Sequence, residues 1–456
     1  MPSFVYSRTT MEKDTRESAL IKRFSGRSLL MFALPSILMS AFSSFYTIVD
    51  GVFIARYVGA MGLSGLNMFW PVWSVEYGVG IMLATGGSAM IAKNMGEGRY
   101  HVARARFTAL TGIMLALGCL VAVAGNIFCE PINRALGASA GQLPYCVEYA
   151  RVHFSFGPCL FLQTVAHVFF VTAGRPSLGL VSTCIAGVMN MALDYVFMAP
   201  LGMGMTGAAL ATGLSWTVPA GVALCYFACT RDALRFARPR LSLRALKQIC
   251  TNGLSELVTH LSTFVVGVLF NMSFMRYAGE AGVAALAVVF YFEYLFTAVY
   301  FGYSGGVAPI ISFKHGHRDT AQLRFITRRN LACIALFSLA AYALSMLSLP
   351  YTLPVFVTPG SEVYELAKQG YPLYAIAFLL MGVNIYTSAH FTALSNGPVS
   401  AVISGGRTFV FLVGCILLLP LKLGTEGLWL SVPVAEALGL ALAVWYLLRL
   451  QKRYGY

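Results

Sequence analysis

Residues 56–66 read RYVGAMGLSGL and residues 276–286 read RYAGEAGVAAL, and the 220-residue offset between them decides the fold. Arg56-Tyr57 recurs as Arg276-Tyr277, Gly62 as Gly282 and Leu66 as Leu286. The same offset carries Gly96 onto Gly316, Arg104 onto Arg324, Pro200 onto Pro420, Gly204 onto Gly424 and Gly207 onto Gly427. Gly86-Gly87 matches Gly305-Gly306 with a shift of one residue, and Gly174-Arg175-Pro176 resembles Asn396-Gly397-Pro398. Coincidence supplies one or two such matches, not an ordered series, so the chain is a tandem duplication.

Each copy is built of long apolar runs. The 456 residues are 58% hydrophobic and only 11% charged, against about 25% charged in a soluble domain, and the mean hydropathy is +0.71. Too few polar residues remain to cover a water-facing surface. That excludes a soluble enzyme, a secreted disulfide scaffold, a disordered chain and a nucleic-acid-binding domain. A bilayer crossing takes ~20 apolar residues, because ~30 Å of hydrocarbon is divided by ~1.5 Å per residue. Runs of that kind lie near 28–50, 63–92, 107–128, 150–173, 178–198 and 206–230 in the first copy. The second copy has them near 249–273, 283–312, 331–350, 370–395, 399–420 and 427–449. Only helices satisfy their own backbone in lipid at this length, so the expected fold is an all-α polytopic membrane protein with twelve transmembrane helices. Residues 1–27 are polar and basic with no small-residue cleavage site after them, so the first run is expected to remain as a span.

The basic residues orient these spans. Of the 32 Lys and Arg, 26 fall on one side of a twelve-span arrangement: in 1–27, 93–106, 231–247 and 314–329, at Arg175 and Arg407, and in the tail. The other six are Arg56, Arg134, Arg151, Arg276, Lys368 and Lys422. Short cytoplasmic loops collect Lys and Arg, so both termini are expected in the cytoplasm, and the +14 net charge is a topological signal rather than a polyanion site. Six spans per copy is an even number, so the two repeats run parallel, related by a pseudo-twofold axis along the membrane normal. The expected parts are a cytoplasmic segment 1–27, an N-lobe 28–230, a basic linker 231–248, a C-lobe 249–449 and a tail 450–456. A cavity between the lobes suits alternating access.

No GxxxxGK[ST] loop and no zinc spacing occurs, so no enzyme activity and no cofactor is expected, and uphill transport would need an ion gradient. A charge at bilayer depth costs about 2.5–3.5 kcal/mol on insertion scales. Six acids fall in spans: Asp50, Glu76, Asp194, Glu256, Glu293 and Glu436. Each either caps a helix or bonds a neighbour, or else it does chemistry. Asn190 and Asp194 share a helix face at i, i+4, and Asp50 and Thr212 reach a similar depth in the same lobe. Two carboxylates there can share a proton; with the amide and hydroxyl oxygens they could instead hold Na⁺. The second copy has Phe270 where the first has Asp50. Glu256 and His260, four apart near the start of the seventh span, offer a second titrating pair, or simply a carboxylate at a helix start. Glu293, Phe296 and Tyr300 share a face, and a carboxylate framed by rings suits an organic cation. Met68, Phe69, Trp70 and Trp73 could line the same cavity, while His167 and His390 read as buried packing groups. Cys129 and Cys146 flank the longest outer loop, where a disulfide could form.

The sequence resembles the multidrug and toxic compound extrusion (MATE) family, in its bacterial branch, over about 28–449. The resemblance rests on Pro35-Ser36, on Val49-Asp50-Gly51-Val52-Phe53-Ile54, and on Gly62-Leu63-Ser64-Gly65-Leu66. It continues through the Gly96 loop, Asn190-Met191-Ala192-Leu193-Asp194 and Gly207-Ala208-Ala209-Leu210-Ala211-Thr212. It implies a monomer in the bacterial inner membrane that exports organic cations and drugs in exchange for H⁺ or Na⁺, with Asp50, Asn190, Asp194 and Thr212 as the cation-coupling site. Some members also use an acid in the seventh span, which Glu256 could represent, and one in the tenth, where this chain has Asn384, Tyr386 and His390 instead. A lipid-linked saccharide flippase of the same superfamily is the alternative. Such a protein calls for a basic cavity, whereas the in-span charges here are acidic apart from Arg407.

Overall fold

A computed structural model describes residues 18–456; residues 1–17, most of the 1–27 segment, lie outside the described residues. Helix α1 (Gly26–Tyr57) opens on a reciprocal cap in which Ser25 and Ser28 bond each other's backbone amides, satisfying two of the donors a helix start leaves over. There follow α2 (Ala60–Gly96), α3 (Tyr100–Ile127), the short α4 (Cys129–Ala135), α5 (Leu143–Ser155), α6 (Gly157–Thr172), α7 (Pro176–Met198) and α8 (Gly204–Cys229). The second half contains α9 (Leu243–Gly316), α10 (Thr320–Phe356), α11 (Glu362–Ala393) and α12 (Gly397–Gly405). A π-helical turn (Gly406–Phe411) joins α12 to α13 (Leu412–Leu418), and α14 (Pro420–Tyr454) closes the chain. No strand occurs among the described residues.

Ten helical runs are long and apolar enough to cross a membrane, and one of them, α9, has 74 residues. A straight helix of that length would extend about 110 Å, several times the ~30 Å of hydrocarbon. Gly279 breaks it, with φ 61° and ψ −159°, so α9 is two crossing arms, 243–278 and 280–316. Gly59, 220 residues earlier, makes the same break between α1 and α2 with φ 91° and ψ −173°. Such backbone is open to glycine and strained for other residues. Together α5 and α6 form one further crossing, bent by 59°, which completes twelve. The fourth crossing therefore begins at Leu143 rather than near 150 and is not straight. Its bend follows from Pro158 at the start of α6, which cannot donate a backbone bond, and from Gly118, where a Cβ would press on the Gly157–Pro158 backbone at 2.6–2.7 Å.

Helices α1–α8 form one lobe, and α9–α14 the other. On the face that gathers the basic loops the lobes meet backbone to backbone. A Cβ at Gly86 would collide with the Ile249 carbonyl of α9, and one at Gly253 with the Met82 carbonyl of α2. The symmetry mates do the same work: a Cβ at Gly306 would stand 3.1 Å from Ala33 of α1, and one at Gly302 2.7 Å from the Ser36 carbonyl. Small residues permit this approach, since lipid offers no hydrophobic drive between helices. A strap ahead of α1 crosses the seam, where Lys314 Nζ donates to the Ile21 carbonyl at 3.0 Å and Gln322 Nε2 to that of Phe24 at 3.0 Å. Toward the opposite face the last ring contact between lobes among the described residues is Tyr77 against His260, at 5.1 Å. The half of the seam opposite the basic loops, where Trp70, Trp73 and Tyr77 of α2 are only partly buried, is the candidate cleft between the lobes, and Tyr294 of α9 reaches across it to Ser44 and Thr47 of α1.

Other expectations meet corrections. Helix α9 starts at Leu243, capped by the Ser242 hydroxyl, so only 231–242 of the 231–248 stretch connects the lobes. Arg407 is no loop charge: it is buried in the C-lobe and paired with Glu436 at 2.8 Å. Cys129 and Cys146 are free thiols, directed at the carbonyls of Val147 and Gly65.

If the glycine contacts hold the seam, Gly253→Leu should wedge it open at an overpacking cost of about 1–3 kcal/mol. Spin labels at the exposed His101 and Thr320 should then lie farther apart in double electron–electron resonance; an unchanged distance would show that other contacts set the closure.

Candidate cation site and central cleft

The four N-lobe residues singled out from the sequence converge. Asn190 and Asp194, on α7, are about 1% and 0% exposed. Gly187, one turn earlier on α7, lets the rings of Phe42 and Tyr46 on α1 seat against it, and this packing draws the far end of α1 toward Asp194. The carboxyls of Asp50 and Asp194 lie within electrostatic reach of each other. Five buried oxygens have no hydrogen-bond partner among the described residues: Asp50 Oδ1, Asn190 Oδ1, Asp194 Oδ1 and Oδ2, and Thr212 Oγ1. An unpartnered buried polar group costs roughly 1–3 kcal/mol, so a cluster of five oxygens, four of them acceptor-only, calls for a cation or protons. Carboxylate, amide and hydroxyl oxygens are hard donors suited to hard cations. No group of three His, Cys, Asp or Glu that could hold a metal occurs among the described residues.

Sequence reading missed two neighbours of this cluster. Tyr149 of α5 reaches Thr212 and lies beside both Asp50 and Asp194. One turn on, His153 Nε2 lies 2.8 Å from Glu76 Oε2 of α2, both side chains buried. Tyr149 and His153 share a face at i, i+4, which the sequence does carry; nothing in it points 77 residues back to Glu76.

The cleft has an aromatic wall on the N-lobe side. Trp70 and Trp73 lie 4.8 Å apart, and Trp73 stacks on Tyr77 at 5.1 Å with planes 5° apart. All three are half-exposed. Phe69 points the other way, buried in the N-lobe against His153 at 4.7 Å. At the foot of the wall His260 meets Tyr77 edge-on, and Glu256 lies within electrostatic reach of Tyr77 and of Arg407. No hydrogen bond joins Glu256 to His260 among the described residues; what they share is the floor of the cleft.

The MatE family model matches residues 35–196 and, a second time, 257–417. The chain belongs to the MatE family. Its two matches start 222 and end 221 residues apart, close to the offset read from the glycines. Among curated relatives, the multidrug export protein MepA of Staphylococcus haemolyticus (strain JCSC1435) is 22% identical over 436 residues, 94% of each chain. MepA of Staphylococcus aureus (strain MRSA252) is 21% identical over 434 residues, 93% of this chain and 94% of that one. Among solved structures, an outward-facing multidrug resistance MATE family transporter of the MOP superfamily superposes with a TM-score of 0.90 at 21% identity, covering 97% of this chain and 99% of that one. A MATE in complex with MaL6 gives 0.89 at 21% identity over 96% and 98%.

In this MatE chain the C-lobe acids are placed differently. Tyr374 donates to Glu293 Oε2 at 2.5 Å. Phe296 packs on Phe378 at 5.2 Å and the Tyr300 hydroxyl donates to the Phe378 carbonyl at 2.8 Å, so both rings lie inside the C-lobe behind Glu293 rather than on the cleft wall. Glu436 takes Arg407 on one oxygen and the Asn384 amide on the other at 2.6 Å. Arg407 is carried on the π-helical turn, a distortion that often marks functional places. His167 is bonded to Thr183 and His390 lies against Tyr386, the packing roles expected of them.

If the oxygen cluster binds a monovalent cation, raising Na⁺ at alkaline pH, or proton activity at fixed Na⁺, should raise the thermal midpoint of the purified protein, the added stability being ~2.7 kcal/mol at a hundredfold excess over Kd. Asp194→Asn should be flat to both in a fluorimetric unfolding assay.

Proposed function

We propose that this MatE protein is a secondary active multidrug efflux antiporter of the bacterial inner membrane, exporting organic cations in exchange for H⁺ or Na⁺. The basic face is cytoplasmic in this reading, with both termini there, and the transporter works as a monomer. The multidrug character follows the MepA relatives, which are multidrug export proteins.

The observation that carries the reading is the separation of two cation-seeking places. One is the group of unpartnered oxygens at Asp50, Asn190, Asp194 and Thr212, enclosed within the N-lobe. The other is the cleft wall of Trp70, Trp73 and Tyr77 above Glu256. A flat organic cation stacks on the rings and faces the carboxylate, gaining cation–π attraction of ~2 kcal/mol where water is excluded. A proton or Na⁺ entering from outside neutralises Asp50 and Asp194, whose mutual repulsion otherwise opposes closer packing of the far ends of α1 and α7. Loading therefore tightens that end of the N-lobe, narrows the aromatic wall and releases cargo outward. Return of the empty carrier to an inward-open state requires the glycine seam on the basic face to part. The flippase reading asks for a basic cavity, and the one in-span basic residue, Arg407, is already neutralised by Glu436 inside the C-lobe.

The test is ethidium transport in proteoliposomes with pH and Na⁺ gradients imposed separately. Asp194→Asn should abolish gradient-driven efflux while leaving folding and ethidium binding intact; normal efflux by that variant would remove the coupling assignment. Trp73→Ala and Glu256→Gln should each weaken ethidium binding about tenfold, ~1.4 kcal/mol, read by fluorescence titration, without abolishing the response to the ion gradient.

A further inference from the structure

Five of the six in-span carboxylates have been placed: Asp50 and Asp194 in the oxygen cluster, Glu256 at the cleft floor, Glu293 with Tyr374 and Glu436 with Arg407. Glu76 remains. It stands near the middle of α2, and its partner is His153. We propose that His153 and Glu76 form a second proton-binding station in the N-lobe, which takes up and gives back a proton in each transport cycle. This rests on the antiport reading but can be tested without it.

Four observations support the assignment. The pair is buried at mid-membrane depth, where a purely structural ion pair is poorly rewarded: apolar residues of similar volume stabilise at least as well, and ionisable groups kept there are by default functional. His153 lies in the last turn of α5, at the bend into α6, and a helix C-terminus favours a cationic imidazole. Rings surround it, with Phe69 at 4.7 Å, Trp216 at 5.2 Å, and Tyr149 and Phe154 at 6.0 Å, so a proton arriving here is shielded from lipid. Finally, Tyr149 on the same helix lies in the field of Glu76 as well as of Asp50 and Asp194, so one phenol lies within reach of both groups of carboxylates.

The titratable groups around His153 are then Glu76 from α2, Tyr149 from its own helix, and, through Tyr149, Asp50 from α1 and Asp194 from α7. Helix α8 presents Trp216, while Glu148 and Arg151 of α5 are on its exposed face. Three carboxylates and one imidazole thus share the lobe interior. With one proton between Nε2 and Oε2 the pair is neutral overall. A further proton makes it imidazolium beside carboxylic acid, and loss of the shared one leaves carboxylate beside neutral imidazole. A cation reaching Asp50 and Asp194 disfavours the extra proton, because like charges at close range in low dielectric repel. Loading one station therefore discharges the other.

The experiment uses full-length protein in nanodiscs with ¹⁵N-labelled histidine, the His153 signal being the one lost in His153→Gln. The His153 ring should pass between its charge states over the pH range in which the protein stays folded. Its proton affinity should fall about tenfold, roughly one pH unit, in Glu76→Gln, which keeps a hydrogen-bonding partner, and also in Asp50→Asn/Asp194→Asn. In proteoliposomes Glu76→Gln should export ethidium with an inward proton-to-cargo ratio raised by one, because a station that discharges as the first one loads carries its proton outward with the cargo. A His153 fixed in one charge state across that range, an affinity indifferent to the aspartates, or an unchanged ratio would each overturn the proposal. If wild-type protein moved no ethidium, the cargo reading would fall and the titration alone would decide the station.

Discussion

Hydrocarbon does not solvate charge, and each acid carried into this fold has had to find its own compensation. Glu436 takes Arg407, Glu293 takes the Tyr374 hydroxyl and Glu76 takes His153. Asp50 and Asp194 have chiefly each other, which is no compensation at all. The rest of the N-lobe is arranged around that unsolved problem: Gly187 brings α1 in, α7 and α8 bring further oxygens, and Tyr149 sits over them. In the antiport reading proposed above, a mobile cation is the partner these oxygens take.

Backbone contact, rather than charge, joins the lobes. Gly86 and Gly253 on one side of the pseudo-twofold axis, and Gly302 and Gly306 on the other, let helices touch where any side chain would intervene. Such contacts have no long reach. They are made at close approach and lost once the helices separate by a little. The hydrogen bonds from Lys314 and Gln322 run to main-chain carbonyls, so it is the backbone of the strap that is held across the seam.

Much of this was legible in the sequence, for physical reasons. Apolar runs of bilayer length are hard to mistake, and the repeated glycines survive because the backbone at 59 and 279, or at 204 and 424, takes a positive φ. The N-lobe cluster was legible because Asn190 and Asp194 share a face by helix geometry alone. Glu293, Phe296 and Tyr300 also share a face, yet periodicity does not say which neighbour a face meets, and α11 turned out to be that neighbour. The Glu76–His153 contact arises only when α5 bends away after Ser155, a bend set by Pro158 and by the bare surface of Gly118 on another helix. Contacts created by tertiary bending leave no spacing to read.

The positions of the second copy that answer to the N-lobe cluster tell a further story. At the same offset Asp50 becomes Phe270, Asn190 becomes Val410, Asp194 becomes Gly414 and Thr212 becomes Val432, while Glu76 becomes Phe296. Phe270 and Val432 are buried at 1% and 3% exposure. At 270 and 432 buried hydrocarbon stands where the first half keeps unpartnered oxygens. The duplicated halves have thus diverged in chemistry at the same place in the fold. In the antiport reading only the first half has a charge there to gain or lose, and the cycle is driven from one side of the pseudo-twofold axis.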